Sequence, residues 1–72
     1  MYKLVVEGVK QIFEMDYHKA LAQFFDFVEH TDRAVRLYSI TNADGQKTEE
    51  LLHVGYTVDS GDKMYKDLIF ER

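Results

Sequence analysis

Apolar and polar residues recur with two different periods along the chain, and the change of period divides it into elements. Residues 17–30 follow the period of a helix, because a wheel of about 100° per residue separates an apolar arc from a polar one. The apolar arc consists of Tyr17, Ala20, Leu21, Phe24, Phe25, Phe27 and Val28. The pattern breaks at Asp16, whose carboxylate can accept hydrogen bonds from the free amides of a first helical turn. The sequence therefore predicts a helix over residues 17–30 with Asp16 as its N-cap.

The segment before this helix could extend it or could form a strand pair. Residues 2–15 favour the strand pair, because their side chains follow a period of two. A two-residue turn at Glu7 and Gly8 would set Val6 opposite Val9, with Gly8 supplying a positive φ. In that register the reverse face of the sheet carries the side chains of Lys3, Val5, Lys10 and Ile12. We expect a β-hairpin here.

Two more strands, "RAVRLYSIT" and "ELLHVGYTV", flank a second turn at Asp44-Gly45, a dipeptide that strongly favours a hairpin. Uninterrupted pairing about this turn sets Tyr38 opposite Leu51. It also predicts the pairs Leu37–Leu52, Arg36–His53 and Val35–Val54. One face of this hairpin would be almost entirely apolar and continue through Tyr56 and Val58, and the other face would be mixed.

The C-terminal segment "KMYKDLIFER" fits both a strand and a helix, and a strand is favoured. Ser60-Gly61-Asp62 is typical of a turn after a strand, and another strand would cover an open sheet edge. The predicted order is ββαβββ, an α+β domain in which one amphipathic helix packs on one face of a mainly antiparallel sheet. We expect residues 1–72 to form one domain, because no linker, repeat or low-complexity tract interrupts them.

A single helix covers only one face of a sheet, so the opposite face is the candidate functional surface. Its predicted apolar centre is Val5, Ile12, Tyr38, Ile40 and Leu51. Its predicted polar rim is Lys3, Arg36 and His53. We expect this surface to bind a second copy of the chain, as a homodimer, or another protein partner.

The composition narrows the choice of partner and compartment. The charge of −4 comes from 13 acidic and 9 basic residues, and no stretch collects enough Lys or Arg to follow a phosphate backbone. Direct nucleic-acid binding is therefore not expected.

The chain has no cysteine, which excludes disulfides and thiolate zinc sites and fits a reducing compartment such as the cytoplasm. No targeting segment or membrane span is recognised either.

The sequence offers little material for catalysis or metal binding. His18, His30 and His53 are too far apart in the predicted elements to form a ligand set. In a calcium-loop frame over "NADGQKTEE", Ile40 and Leu51 would occupy positions that require carboxylates. There is no nucleophile elbow and no phosphate-cradling glycine loop. We assign no catalytic, cofactor-binding or metal-ligating residue and expect a non-enzymatic protein.

Two other functions remain as alternatives. Glu14, Asp26, Glu29 and Asp32 could form an acidic edge that acts as a decoy or inhibitor of a nucleic-acid-handling protein, although Lys10, Lys19 and Arg33 interrupt it. A small metal- or ligand-dependent enzyme could instead be built around His53 and Arg36, which are neighbours in the uninterrupted register.

The helix entry "MDYHKALAQFF" followed by the strand "AVRLYSI" resembles small uncharacterised proteins encoded by phages, prophages and Gram-positive accessory genomes. The resemblance covers residues 9–41 and contains no catalytic or ligand motif, so no functional residue is carried over. It implies binding to, and modulation of, a host protein.

Overall fold

The computed structural model describes residues 1–69 and contains the predicted order of elements. The elements are β1 (Tyr2–Val6), β2 (Lys10–Glu14), α1 (Tyr17–His30), β3 (Val35–Ala43), β4 (Gln46–Thr57) and β5 (Lys63–Asp67). The strands form one antiparallel sheet in the order β2-β1-β3-β4-β5. The helix packs on one face of this sheet, which confirms the predicted α+β fold.

The helix begins and ends where the hydrophobic pattern predicts. Asp16 is the N-cap, and its Oδ1 accepts hydrogen bonds from the backbone amides of His18 at 2.8 Å and Lys19 at 3.2 Å. These bonds favour the carboxylate and lower the pKa of Asp16. The apolar arc packs against the central strands, where it forms a cluster of Leu4, Val6, Ala20, Phe24, Val28, Val35 and Leu37. This cluster is the main source of hydrophobic stabilisation for the domain.

The first hairpin has a three-residue turn, so the predicted two-residue turn is wrong. Val6 pairs with Lys10, and the backbone amide of Val9 donates to the Val6 carbonyl at 2.9 Å. Gly8 has a φ of 73°, as a β-turn with a positive φ at its third position requires. The extra residue shifts β2 by one position, and a shift of one exchanges the two faces of a strand. Ile12 therefore packs against the helix-side core and not on the opposite face.

The second hairpin follows the predicted register from its turn as far as Tyr38 and Leu51, and then departs from it. A β-bulge leaves Leu52 without a paired residue in β3, so that Leu37 pairs with His53 and Val35 with Gly55. The predicted pairs of Leu37 with Leu52 and Val35 with Val54 are therefore wrong. The bulge turns His53 towards the helix side.

The C-terminal segment forms a strand, as favoured, over Lys63–Asp67, and the strand ends before Leu68 and Ile69, which were predicted to continue it. β5 pairs with β4 from His53–Asp67 to Thr57–Lys63 and covers that edge. Lys63 links β5 to the end of α1 and to β4. Its Nζ donates to the carbonyl of Thr31, the helix C-cap, and to Thr57 Oγ1, both at 2.9 Å. The last part of the predicted strand, residues 70–72, lies outside the described residues.

Candidate functional site

The sheet face turned away from α1 is the candidate functional site, and we call it the open face. Because side chains alternate across a strand, the register assigns each residue to a face. The apolar side chains of the open face that are at least partly exposed are Val5, Phe13, Tyr38, Leu51, Val54, Tyr56 and Met64. They come from all five strands, and no described helix lies over them. The open face is thus one surface continuous across the sheet.

The apolar side chains of the open face remain accessible to solvent. Phe13 is 50% exposed, Met64 43% and Tyr56 39%, which is high for large apolar residues. The four members nearer the middle of the sheet are half-buried: Val5, Tyr38, Leu51 and Val54. Together these seven side chains form what we call the apolar band. A band of this extent, framed by charged residues, is typical of a protein-binding surface.

Ion pairs frame the apolar band of the open face. Lys3 Nζ donates to both carboxylate oxygens of Glu49 at 2.8 Å and lies 4.9 Å from the ring centre of Tyr38. These bonds to Lys3 lower the pKa of Glu49. Lys47 Nζ lies 3.6 Å from the same carboxylate. A guanidinium nitrogen of Arg36 on the central strand lies 3.7 Å from Glu7 Oε2.

The structure brings together some of the predicted interface residues and separates others. Val5, Arg36, Tyr38 and Leu51 lie on the open face, as the sequence predicts. Ile40 belongs to the same face by alternation along β3 but is only 7% exposed. Two predicted members lie on the helix side instead: Ile12 because of the three-residue turn, and His53 because of the bulge.

Four members of the open face were not predicted from the sequence: Phe13, Val54, Tyr56 and Met64. The bulge in β4 moves Val54 and Tyr56 onto this face, and the longer first turn does the same for Phe13. Met64 faces Tyr56 across β5 and β4. Period-two patterning of the strand segments could have identified Met64, whereas the other three depend on irregularities that the pattern does not reveal.

His53 lies between the sheet and the helix in an aromatic environment. It is 8% exposed, its Nε2 lies 2.9 Å from the Tyr17 hydroxyl, and its ring centre is 5.9 Å from that of Phe24. Its Nδ1 lies 3.7 Å from Asp67 Oδ1. Burial, followed by the nearby Asp67 carboxylate, raises the pKa of Tyr17. Arg36 pairs with Val54 and faces the other way, so the proposed site of His53 and Arg36 is not formed.

The acidic side chains of the alternative decoy surface have partners within the protein. Glu29 accepts a hydrogen bond from the Tyr65 hydroxyl, which raises the pKa of Tyr65. Asp32 Oδ1 lies 3.6 Å from Lys63 Nζ, and Asp26 Oδ1 lies 3.2 Å from His30 Nδ1. Glu14 accepts from the amides of Met15 and Asp16 beside the start of the helix. These contacts offset part of the negative field that a decoy would need.

Within residues 1–69, no group of three or more His, Asp and Glu side chains could hold a metal ion, and no pocket opens. No helix in this part of the chain has the length and apolar character needed to cross a membrane.

Comparison with protein-family models, curated proteins and solved structures yields no match to this chain. The resemblance to phage and accessory-genome proteins stays a prediction.

Proposed function

We propose that this protein is a non-enzymatic interaction domain that binds a protein partner or a second copy of itself through the open face. The observation that carries the proposal is the apolar band that crosses all five strands without cover from α1. The lack of cysteine makes a reducing compartment such as the cytoplasm part of the same proposal.

The two faces of the sheet differ in how much of their apolar surface is buried. On the helix side, α1 removes Leu4, Val35 and Leu37 from water, and each is 0% exposed. On the open face, Val5, Tyr38 and Val54 occupy the corresponding central strands and remain partly exposed. Burial of apolar surface contributes about 25 cal/mol per Å². A partner that covers this band would bury its apolar surface. The free energy of that burial would favour binding, as burial by α1 favours folding on the other side.

Site-specific photocrosslinking in cells of the source organism tests the proposal. A photoreactive amino acid replaces Val54 on β4 of the open face, and a matched variant carries it at Ala22 on the exposed helix surface. We expect covalent adducts from position 54 and few or none from position 22. Equal yields from both positions, or none from position 54, would contradict the proposal.

The mass of the adduct and the state of the purified chain separate the two forms of the proposal. An adduct with twice the mass of the chain indicates self-association, and any other mass indicates a different protein. Sedimentation at high micromolar concentration provides the second measurement. A strict monomer whose sedimentation is unaffected by Tyr38→Ser would remove the self-association form and leave the partner form in place.

A further inference from the structure

The strand β2 forms one edge of the sheet and presents unpaired backbone groups there. No strand within residues 1–69 pairs with its outer side. The Ile40 amide donates to the Met1 carbonyl, so the odd-numbered positions along β1 bond to β3. Because the direction of bonding alternates along a strand, the even-numbered positions of β1 bond to the even-numbered positions of β2. The backbone amides and carbonyls of Gln11 and Phe13 therefore point away from the sheet, and no described residue bonds to them.

Large apolar side chains accompany this edge. Val9 just before β2 is 60% exposed, Phe13 within it is 50% exposed, and Met15 just after it is 71% exposed. An edge strand with unpaired backbone groups and exposed apolar side chains favours the addition of another strand.

Lys10 and Glu14, the first and last residues of β2, lack an oppositely charged partner. The Nζ atom of Lys10 lies 4.6 Å from the ring centre of Phe27. Glu14 accepts hydrogen bonds from two backbone amides and, at 3.4 Å, from the side chain of Gln23, all of which are neutral donors. Among residues 1–69, no ion pair includes Lys10 or Glu14. Both charges therefore remain available to a charged residue of an added strand.

We infer that the outer edge of β2 pairs with β2 of a second copy of the chain, in antiparallel orientation about a twofold axis at Ile12. Lys10 then faces Glu14 of the second copy, and opposite charges across a strand pair stabilise it. Gln11 faces Phe13 of the second copy, so that their outward backbone groups form hydrogen-bonded pairs. The inference goes beyond the proposed function, because it concerns the edge of the sheet and leaves the open face uncovered.

The backbone and the charges select the same register. Hydrogen bonds between the two copies require odd-numbered residues to face each other, so the possible registers differ by steps of two residues. The register centred on Ile12 pairs all five residues of β2 and opposes both charges. The neighbouring registers, centred on Gln11 or Phe13, each set one charged residue against Ile12. A β2 strand is thus complementary to itself, which explains why the occupant is a second copy.

The helices leave room for this arrangement. A twofold axis perpendicular to the sheet keeps both copies of α1 on the same side. Because α1 packs on β1, β3 and β4, its axis is centred two strands away from β2. Strands lie about 4.8 Å apart, so the two helix axes would be roughly 24 Å apart, well beyond a helix diameter of about 10 Å. Two five-stranded sheets would join into one.

Sedimentation and amide hydrogen exchange of the full chain test the inference. From low to high micromolar concentration, we expect a monomer–dimer equilibrium without larger species, because a twofold pairing occupies the β2 edge of both copies. The amides of Gln11 and Phe13 should become protected from exchange as the dimer forms. The amide of Gly45, in the exposed turn between β3 and β4, should exchange at the same rate at every concentration.

Two charge reversals test the register. Lys10→Glu and Glu14→Lys should each raise the dissociation constant of the dimer about tenfold, because each variant dimer contains two pairs of like charges. An equimolar mixture of the two variants should restore association, since every such pair then joins a lysine to a glutamate. Lys19→Glu makes the same charge change on the exposed helix surface and should have no effect.

A proline substitution tests the backbone bonds. Phe13→Pro removes an amide that points away from β1, so it should abolish the dimer without breaking the pairing of β1 with β2. Circular dichroism shows whether each variant is folded. The charge reversals keep the inference testable if the proline variant fails to fold.

A strict monomer at high micromolar concentration, or species larger than a dimer, would overturn the inference. Equal effects of Lys10→Glu and Lys19→Glu, or a mixture of the charge variants that stays monomeric, would do the same. A dimer that Tyr38→Ser dissociates uses the open face and also overturns it.

Failure of this inference can be distinguished from failure of the proposed function. Position 54 lies on β4, three strands from β2, so its adducts do not report on edge pairing. Adducts from position 54 of a chain that is monomeric in sedimentation would remove only the edge dimer. A dimer with protected amides at Gln11 and Phe13 but no adducts from position 54 would remove only the function proposed for the open face.

Discussion

Gly55 of β4 lies directly beneath Val28 of α1, at a separation that leaves no room for a side chain. A Cβ atom at Gly55 would stand 2.4 Å from Val28 Cγ2 and 3.2 Å from Phe24 Cζ. Glycine within a strand often marks such a close approach of another element. The bulge at Leu52 places Gly55, and not Val54, under the helix. The irregular strand and the close packing of the helix are therefore parts of one arrangement.

The first prediction concerns this contact. Gly55→Ala should lower the free energy of unfolding by about 1 to 3 kcal/mol, because the added methyl group forces the helix and the sheet apart. Val28→Ala also destabilises the protein, by opening a cavity. The double variant should lose less than the sum of the single losses, since each change relieves the defect of the other. Urea denaturation measures all three variants. Additive losses would show that the two residues do not oppose each other directly.

The second prediction concerns the hydrogen bond between Tyr17 and His53. The Asp67 carboxylate lies beside Nδ1, which favours the proton of the neutral imidazole on that nitrogen and leaves Nε2 to accept from the tyrosine hydroxyl. Tyr17→Phe leaves Nε2 without a partner in a residue that is 8% exposed, so the free energy of unfolding should fall by about 1 to 3 kcal/mol.

Tyr56→Phe is the matched control for this prediction. Tyr56 lies on the open face and is 39% exposed, so its variant should change the free energy of unfolding by no more than about 0.5 kcal/mol. Nitrogen chemical shifts of His53 provide an independent measurement of the tautomer. A proton on Nε2 at neutral pH would contradict the assigned direction of the hydrogen bond.

The parts of the fold that follow a regular period could be predicted from the sequence. The boundaries of α1 follow from its apolar arc and from Asp16, and both are as predicted. The second turn follows from Asp44 and Gly45, whose φ angles of 53° and 78° match a turn that needs a positive φ at both central positions. These features depend on residues close together in the chain.

The membership of the candidate site could be predicted only in part, because it depends on two single-residue irregularities. Val9 adds a residue to the first turn and Leu52 adds one to β4. Each insertion exchanges the faces of the residues that follow it, which moves Ile12 and His53 inwards and Val54 outwards. The bulge is favoured by tertiary packing, because it aligns Gly55 with Val28 of α1. No periodic pattern within one strand records that distant contact.

The third prediction concerns the acid dependence of stability. Backbone hydrogen bonds lower the pKa of Asp16 from its ordinary value of 3.8, so the folded state binds this proton less readily than the unfolded state does. The stabilisation from this carboxylate is fully present above that ordinary value and is lost as the pH falls through the lowered one. Thermal unfolding of the wild type and of Asp16→Asn, followed from about pH 6 to pH 2, measures the effect.

Asparagine is a suitable comparison because its side-chain oxygen can cap the helix but does not titrate. We expect the wild type to lose stability relative to Asp16→Asn in the acid range. Asp16→Ala should be less stable than both proteins at neutral pH, because its first-turn amides lose their acceptor. A constant difference between the wild type and Asp16→Asn over the whole range would contradict the role of the carboxylate.

The fourth prediction concerns the tip of the β3–β4 hairpin. Residues 35–39 of β3 pair with both β1 and β4, and the Ile40 amide donates to the Met1 carbonyl, whereas residues 41–43 pair with β4 alone, and every residue from 41 to 49 is exposed. Such a two-stranded segment is only marginally stable in water. Amides that bond across this tip should therefore exchange with solvent faster than those of residues 35–39.

A shortened hairpin tests the same point by stability. Thr41 and Thr48 form a cross-strand pair two positions from the closing pair of Ala43 and Gln46, so an Asn-Gly turn can join them in the same register. Replacing residues 42–47 by Asn-Gly should change the free energy of unfolding by no more than about 0.5 kcal/mol, because the removed segment buries no apolar side chain. Urea denaturation with an unchanged m-value measures this. A loss of several kcal/mol would instead show that the tip contributes to the folded core, which its exposure contradicts.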